Sequence, residues 1–235
     1  MTPDWNTLAT ALFGTHHGIT ASGDLLTGTP LLDGEAVAVV GTTGHAAIGV
    51  ALALAQARVV LDTIAQYPGR PILLLIDTQG QQLRRRDELL GINRAMAHLG
   101  MAVDLARRSG HGVIGLVYDQ ALSGGFITSG LIADACYALP EAEIRVMRIP
   151  AMARVTKLSE AMLTELSKAN PVFAPGVENY VDMGGIRALW RGDLQAALRE
   201  ALANTPVVDQ RARDGAARGG RKLAESIAQQ VLDAV

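Results

Sequence analysis

The sequence predicts an α/β fold in which helices connect mostly parallel strands. Three observations support this prediction. The composition, 49% hydrophobic and only 19% charged, is sufficient for a sizeable core, and with 4% aromatic residues that core must be aliphatic. Segments of strand type alternate regularly with segments of helical spacing, as they do when helices form the crossovers of a parallel sheet. Residues 72–76 are a continuous apolar run between breakers, which is typical of a strand covered on both faces.

In the first part of the chain, glycine and threonine recur throughout residues 1–34, so we expect irregular structure or short elements there. The pattern after residue 34 predicts two strands with a helix between them. In chain order these are a strand over 35–41, a turn over 42–45, a helix over 46–66 ended by Tyr67-Pro-Gly-Arg-Pro71, a strand over 72–76 and a turn over 77–80.

The middle of the chain predicts a long helix over residues 86–109, whose apolar side chains form one stripe. A strand over 113–118, a Gly-Gly loop, a short helix and strands over 135–139 and 143–147 follow. Cys136, the chain's one cysteine, is expected to be a buried core residue.

The last part of the chain is expected to be helical. Prolines within residues 170–176 separate two later helices, and Asp193 is a suitable N-cap for a helix that begins at residue 194. A polar segment over 211–221 precedes a C-terminal helix over 222–235.

Composition also restricts the function. The formal charge of −2 gives no electrostatic reason to expect nucleic acid or an anionic membrane as a partner. No apolar run approaches the roughly 20 residues of a membrane helix, and no segment has the pattern of a secretory leader. We therefore expect one cytoplasmic domain over residues 1–235.

The segment from Leu116 to Gly130 carries the strongest functional signal. A Val-rich run ends there, and Gly124 and Gly125 let the backbone approach a ligand without a Cβ in the way. Amide N–H groups at such a turn, just before a helix, attract negative charge. The N–H groups of Gly124, Gly125 and Phe126 are thus candidate oxyanion donors for catalysis.

Other loops that follow predicted strands could meet this one, because ligands gather beyond the carboxyl ends of parallel strands. The candidate substrate-binding residues are Thr42, Thr43, Gly44, His45, Gln79, Gly80 and Ser123. Asp77 is expected to tether its own turn rather than to act as a base.

Several motifs resemble those of biotin-dependent carboxyltransferases. They are Pro71-Ile-Leu-Leu-Leu-Ile-Asp-Thr-Gln-Gly80, the Gly-Gly loop, Leu139-Pro-Glu-Ala-Glu-Ile-Arg-Val-Met147 and Tyr180-Val-Asp-Met-Gly-Gly185. Among carboxyltransferase-like domains, the whole chain is most similar to the gamma subunits of biotin-independent malonate decarboxylases. The resemblance covers about residues 30–205. It implies a crotonase-like fold (the ClpP/crotonase type), a spiral of ββα units similar to one domain of a carboxyltransferase.

The resemblance also implies a reaction and a set of partners. A beta subunit forms a heterodimer with the gamma subunit, and together they decarboxylate a malonyl thioester on an acyl carrier protein. A transferase subunit then supplies the next malonate. The carrier's prosthetic arm is a phosphoribosyl-dephospho-coenzyme A, and neither biotin nor a metal is required. The basic run Arg84, Arg85 and Arg86 is then expected to contact the phosphates of that arm or the carrier itself.

Three alternatives remain open from the sequence. Ser123 could be the nucleophile of a serine peptidase, although no histidine follows it in the chain. A hydratase or isomerase acting on acyl-coenzyme A would need a catalytic glutamate, and the predicted loops carry none. The chain could also be a scaffold that only completes a partner's site.

Overall fold

A computed structural model describes residues 2–147, 149–169, 176–220 and 223–234. The strands are β1 Thr20–Ser22, β2 Leu25–Gly28, β3 Leu31–Leu32, β4 Glu35–Ala36, β5 Ala38–Thr42, β6 Ala46–Ile48, β7 Ile72–Gln81, β8 Val113–Leu122, β9 Ala135–Ala138 and β10 Glu143–Arg145. The helices are α1 Trp5–Phe13, α2 Val50–Gln66, α3 Arg85–Leu89, α4 Ile92–Arg108, α5 Ser123–Ser129, α6 Ile149–Thr156, α7 Glu160–Ala169, α8 Val177–Asp182, α9 Leu194–Ala203, α10 Arg211–Ala217 and α11 Ala224–Asp233.

The predicted α/β fold with a largely parallel sheet is confirmed. The path β1-β2-β5-β7-β8-β10 runs through the main sheet, with β6 beside β7 and β9 beside β8. The strands β5 to β10 pair with one another in parallel, whereas the pairs β1–β2 and β2–β5 are antiparallel. Strands β3 and β4 form a separate antiparallel pair.

Two long strands give the sheet its repeating design. The first part of β7 pairs with β5 and its last part pairs with β6. In the same way, β8 pairs with β9 near its start and with β10 near its end. The β7–β8 register shifts between Ile76 and Thr78, so both strands change neighbours at about the same level. The shift leaves the ends of β7 and β8 side by side.

The predicted turn over 77–80 is wrong, because these residues continue β7. The Thr78 hydroxyl donates to the Ala46 carbonyl at 2.7 Å, and Ala47 pairs in register with Gly80. The apolar pattern ends at Ile76 because the rest of the strand carries the polar residues of the site. Short β6 also takes the first residues of the predicted helix, so α2 begins at Val50.

The predicted helix over 86–109 is two helices. Gly91 lies between α3 and α4 with φ +76°, a conformation that interrupts a helix. At the N-terminus, where irregular structure or short elements were expected, the chain forms the nine-residue helix α1, which Asp4 caps and which buries Leu8 and Leu12. Six of its nine residues are apolar, so the helix has a visible pattern in the sequence.

Toward the C-terminus, α9 begins after Asp193 as predicted, with the carboxylate accepting from Ala196 N at 3.0 Å. The first part of the polar segment over 211–221 forms α10. The C-terminal helix spans Ala224–Asp233. Residues 170–175, where prolines were expected to separate two helices, lie outside the described residues.

The core lies on both faces of the sheet. One apolar cluster joins α1 and α9 to one face, and a second joins α2 and α4 to the other. A third cluster surrounds α5 and contains Cys136, which is buried as predicted. None of the helices in the described part of the chain is long and apolar enough to cross a membrane.

Candidate functional site

The turn between β5 and β6 has an unusual backbone. Gly44 and His45 both have positive φ, at +68° and +52°. For His45 this conformation is uncommon and costs free energy unless neighbouring contacts hold it. The Thr43 N–H donates to the Asp24 carbonyl at 3.0 Å, which fixes the start of the turn. The turn therefore presents the His45 ring in one direction.

The buried carboxylate of Asp77 holds this turn in place. One oxygen accepts the His45 main-chain N–H at 2.9 Å, and the other accepts the Gln120 N–H at 3.4 Å. The side chain is only 4% exposed. Burial is the largest influence on this group and raises the pKa of Asp77 above its usual range, against the opposing effect of the His45 N–H. Asp77 was expected to tether its own turn. It instead tethers two neighbouring segments, through His45 and Gln120.

Asp119 on β8 is a site residue that the sequence analysis missed. Its carboxylate lies 3.0 Å from His45 Nε2 and orients the ring. The signal was present, since Asp119 interrupts the end of an apolar strand, but only the strand pairing shows that it faces His45. On the opposite side, the Gln79 side chain donates to the His45 carbonyl at 3.0 Å.

The predicted substrate-binding residues at the ends of β7 and β8 lie together. A Cβ on Gly80 would lie 2.9 Å from the Ser123 Cβ. Ser123 itself has φ +54° at the first position of α5. Thr42 is buried, and its carbonyl accepts the Tyr118 hydroxyl at 2.9 Å. Its hydroxyl accepts the Asp77 N–H at 3.3 Å, so Thr42 supports the site from beneath.

The Gly-Gly pair was predicted to form a loop before the short helix. It lies instead within the first turn of α5. The first N–H groups of a helix have no carbonyl partner within that helix, which applies to Gly124 and Gly125. Phe126 is the fourth residue of the helix, and its N–H is directed along the helix axis toward the carbonyl four residues earlier in the chain. The Phe126 ring is buried and packs edge-on against Tyr180. Gly124 and Gly125 are therefore the better candidates for donors.

The two glycines differ in their surroundings. A Cβ on Gly125 would lie 2.9 Å from Thr78 Oγ1 and 3.0 Å from the Gly80 backbone. A Cβ on Gly124 would meet the ends of two flexible side chains, Gln81 at 3.1 Å and Met96 at 3.8 Å. Packing alone therefore requires glycine at 125, whereas nothing in the packing requires it at 124.

The arginine run lies at the edge of this region. Arg84 precedes α3, and Arg85 and Arg86 belong to it; all three are exposed. Three exposed leucines, Leu83, Leu89 and Leu90, flank them. The structure thus provides a surface that combines positive charge with apolar side chains.

Among the described residues, one group of side chains has ligand atoms close enough together for a metal ion. His45, Asp77 and Asp119 offer such atoms within 4.8 Å of one another. Both Asp77 oxygens already accept main-chain N–H groups, and Asp119 already pairs with the His45 ring. The arrangement is explained by hydrogen bonds, and what it offers chemically is an oriented imidazole beside neutral donors.

The fold and the polar strand ends place the chain in the carboxyltransferase-like class of α/β proteins. It is similar to the transcarboxylase 12S core, with a TM-score of 0.72 and 20% identity over 86% of this chain and 42% of that one. It is also similar to subunits of the Pseudomonas malonate decarboxylase. For the hetero-tetramer in complex with coenzyme A the TM-score is 0.80, with 24% identity over 99% of this chain and 100% of that one. For the MdcD–MdcE hetero-dimer it is 0.78, with 23% identity over 98% of each chain. These likenesses confirm the crotonase-like fold.

The sequence comparison then defines the family. Residues 43–235 match the family described as the malonate decarboxylase gamma subunit, and the chain belongs to that family. A curated relative is the malonyl-S-ACP:biotin-protein carboxyltransferase MADD of Malonomonas rubra, 38% identical over 123 residues. That match covers 51% of this chain and 42% of the relative's length.

Proposed function

We propose that this chain, together with a beta subunit, decarboxylates a malonyl thioester on an acyl carrier protein to an acetyl thioester and carbon dioxide. The observation that carries the proposal is the family match over residues 43–235. The relative from Malonomonas rubra supports the substrate class, because its name specifies a malonyl group on a carrier protein. The arrangement of donors around the end of β8 is suited to such a reaction.

The chemistry sets two requirements that this site can meet. Loss of carbon dioxide leaves an enolate, and preorganised donors near the new charge lower the barrier. The leaving carboxylate must be held weakly, because tight ionic binding of the ground state would raise the barrier. The main-chain N–H groups of Gly124 and Gly125 are neutral donors, and so are the side chains of Gln79 and Ser123. No arginine side chain is required near the reacting carbon.

In this proposal each of the two subunits binds a different part of the substrate. The thioester lies mainly on the beta subunit, and the Gly-Gly turn of this chain faces the carboxylate that leaves as carbon dioxide. Thr42, Thr43 and Gly44 shape the turn that carries His45, and Gly80 allows β7 to approach Ser123. Most of the residues predicted for substrate binding thus act by shaping the site.

Exposed apolar side chains support a heterodimer. Helix α6 has no buried residue in this chain, although it is largely apolar. Val155 and Met162, at 69% and 53% exposure, project from α6 and α7. Helix α2, by contrast, packs mainly into the core through Ala53, Ala57 and Val60. We place the beta subunit on α6 and α7.

The carrier's prosthetic arm is assigned to the exposed arginines of α3. Guanidinium groups form charge-assisted hydrogen bonds with phosphates, and the arm carries several. Neither biotin nor a metal enters the proposed reaction. The transferase subunit and the cytoplasmic location expected from the sequence are kept as part of the proposal.

The test is reconstitution. The chain, a beta subunit and the combination of both are each supplied with malonyl and methylmalonyl carrier protein, and carbon dioxide release is measured. The proposal expects release only from the combination, with malonyl carrier preferred. Equal release by the beta subunit alone would show that this chain is not required.

A non-catalytic scaffold would also restore release in that experiment. The proposal is distinguished from it by changes at the Gly-Gly turn that leave the heterodimer intact. A scaffold tolerates such changes, whereas a participating subunit loses turnover.

A further inference from the structure

We propose that His45 is the acid that protonates the enolate carbon, with Asp119 positioning its ring. The inference rests on the proposed decarboxylation and names a residue for its second half. Once carbon dioxide has left, the enolate still requires a proton at carbon. Imidazole is the side chain best suited to transfer a proton near neutral pH.

The hydrogen bonds of the ring leave one nitrogen available. Nε2 lies 3.0 Å from the Asp119 carboxylate and 3.9 Å from Asp77. Among the residues that the structure describes, none forms a hydrogen bond with Nδ1 of His45. The His45 side chain is 48% exposed, so the ring is accessible from outside the protein. A carboxylate on one nitrogen and an open position on the other is the arrangement of an oriented acid–base histidine.

Two other histidines of the chain show the contrast. His17 is buried, its Nδ1 accepts the Ile19 N–H at 3.0 Å and its Nε2 lies 3.1 Å from Asn6 Oδ1. His111 is also buried, with Nδ1 2.9 Å from the Arg70 carbonyl. These rings serve the packing of their surroundings, whereas the His45 ring faces outward.

The backbone of His45 is held more firmly than an exposed turn requires. Its N–H is bound by Asp77 and its carbonyl by Gln79, at 2.9 and 3.0 Å. These contacts stabilise the left-handed conformation that the residue adopts. The positioned ring is a reason for the structure to maintain that strain.

His45 also lies close to the proposed donors. Gln79, which binds the His45 carbonyl, is followed by Gly80, and Gly80 packs against Ser123 and Gly125. Asp119 is on the strand that leads directly into α5. The imidazole and the Gly-Gly turn thus border the same end of β7 and β8.

The step balances in atoms and electrons. The bond between the carboxylate carbon and the α-carbon breaks, carbon dioxide leaves, and the electron pair passes into the thioester enolate. The enolate carbon then forms a C–H bond with the proton of the imidazolium. Neutral His45 takes up a proton from water, so the net reaction consumes one proton from solvent.

The experiment follows the reverse of protonation, which does not depend on carbon dioxide release. The heterodimer is incubated with acetyl carrier protein in deuterated water, and deuterium in the acetyl group is measured. Decarboxylation of malonyl carrier is measured in parallel. The variants are His45→Gln, His45→Ala, Asp119→Asn and, as a matched control, His98→Gln on α4.

We expect His45→Gln to lower both exchange and kcat by about 100-fold, since general acid catalysis contributes roughly 100- to 10,000-fold. Asp119→Asn should lower kcat by about tenfold with little change in KM, as expected for a positioning residue. His98→Gln should match the wild type. Exogenous imidazole should restore part of the activity of His45→Ala, which a structural defect would not permit.

The possible results separate the two proposals. If the wild-type heterodimer releases no carbon dioxide, the proposed function fails. If it does release carbon dioxide but His45→Gln exchanges deuterium within twofold of wild type, the role of His45 is overturned. Failure of imidazole to restore activity to folded His45→Ala would also overturn it, as would inactivation by a chelator that added Zn²⁺ reverses.

Discussion

Asp77 is the residue on which the geometry of the site most depends. It is buried in β7, just after the apolar part of the strand, and accepts N–H groups from two other segments. The sequence placed an aspartate beside glycine and threonine, and this pattern indicated a turn. It could not show that the carboxylate reaches His45 and Gln120, because strand pairing sets those distances. The Asp77 carboxylate thus holds the backbone at His45 and at Gln120 with one side chain.

The raised pKa of Asp77 makes a prediction about stability. Its folded-state pKa lies above its ordinary value of 3.8, mainly through burial. A carboxyl group of this kind favours the folded state below that ordinary value and loses this contribution as pH rises through the folded-state pKa. Relative to Asp77→Asn, the wild type should therefore lose stability as pH rises from about 3.5. Urea unfolding between pH 3.5 and 7 measures the free energy of unfolding of both proteins. A wild type that becomes more stable relative to Asp77→Asn as pH rises would contradict the expectation.

The two glycines of α5 should respond differently to alanine. Gly125→Ala places a methyl group against Thr78 and the Gly80 backbone, and should cost about 1–3 kcal/mol through overpacking. Gly124→Ala meets only the ends of two flexible side chains and gains helix propensity, so stability should hold or rise by up to about 1 kcal/mol. Denaturant unfolding compares the pair. Equal losses at both positions would show that the packing around the turn is misassigned.

At the scale of elements, α2 depends on a cap supplied by another helix. Gly49 before α2 provides no side-chain cap, and the Val50 N–H instead donates to Asp87 of α3 at 2.9 Å. Asp87→Ala should cost about 1 kcal/mol, since it removes both a capping bond and a negative charge at a helix N-terminus. Hydrogen exchange at Val50 should accelerate as well. Glu88→Ala changes an exposed neighbour and is the control; similar effects in both variants would argue against the cap.

Elements were predictable where one period dominated the pattern. The continuous apolar run predicted the first half of β7, and Asp193 predicted the start of α9. The second half of β7 was not predictable, because its polar side chains serve the site and its pairing with β6 is a tertiary contact. Ser123 is similar, since nothing in its sequence context indicates a positive φ at a helix start. Local patterns fail mainly where the candidate site lies.

At the scale of the whole molecule, the family resemblance accounted for the spiral architecture that periodicity could not give. Pattern alone gave alternating strands and helices but no strand order. The motifs at 71–80 and 139–147 indicated the carboxyltransferase type, and the comparisons confirm it. Asp119 remained unrecognised because its partner lies 74 positions away in the sequence. The resemblance thus supplied the fold, and only the structure showed which side chains meet.

The charge distribution makes a prediction about the carrier. The chain has a formal charge of −2 overall, yet Arg84, Arg85 and Arg86 are exposed together. Replacing all three with alanine should raise KM for malonyl carrier protein about tenfold, equivalent to about 1.4 kcal/mol. Turnover of a short malonyl thioester without phosphates should not change. A triple variant at the exposed arginines Arg94, Arg108 and Arg191 is the control, and an equal rise in KM there would indicate a general charge effect.

The central claim is that the Gly-Gly turn of this chain takes part in the reaction, and one pair of variants at Gly124 tests it most directly. Gly124→Pro removes the main-chain N–H at a position where a helix does not need it, whereas Gly124→Ala retains it. In the heterodimer with malonyl carrier, and with folding verified by thermal unfolding, kcat is measured for both. The account predicts a loss of about 100- to 1,000-fold for proline, equivalent to roughly 3–4 kcal/mol, and a change of less than a few-fold for alanine. Wild-type kcat in a folded Gly124→Pro heterodimer would contradict it.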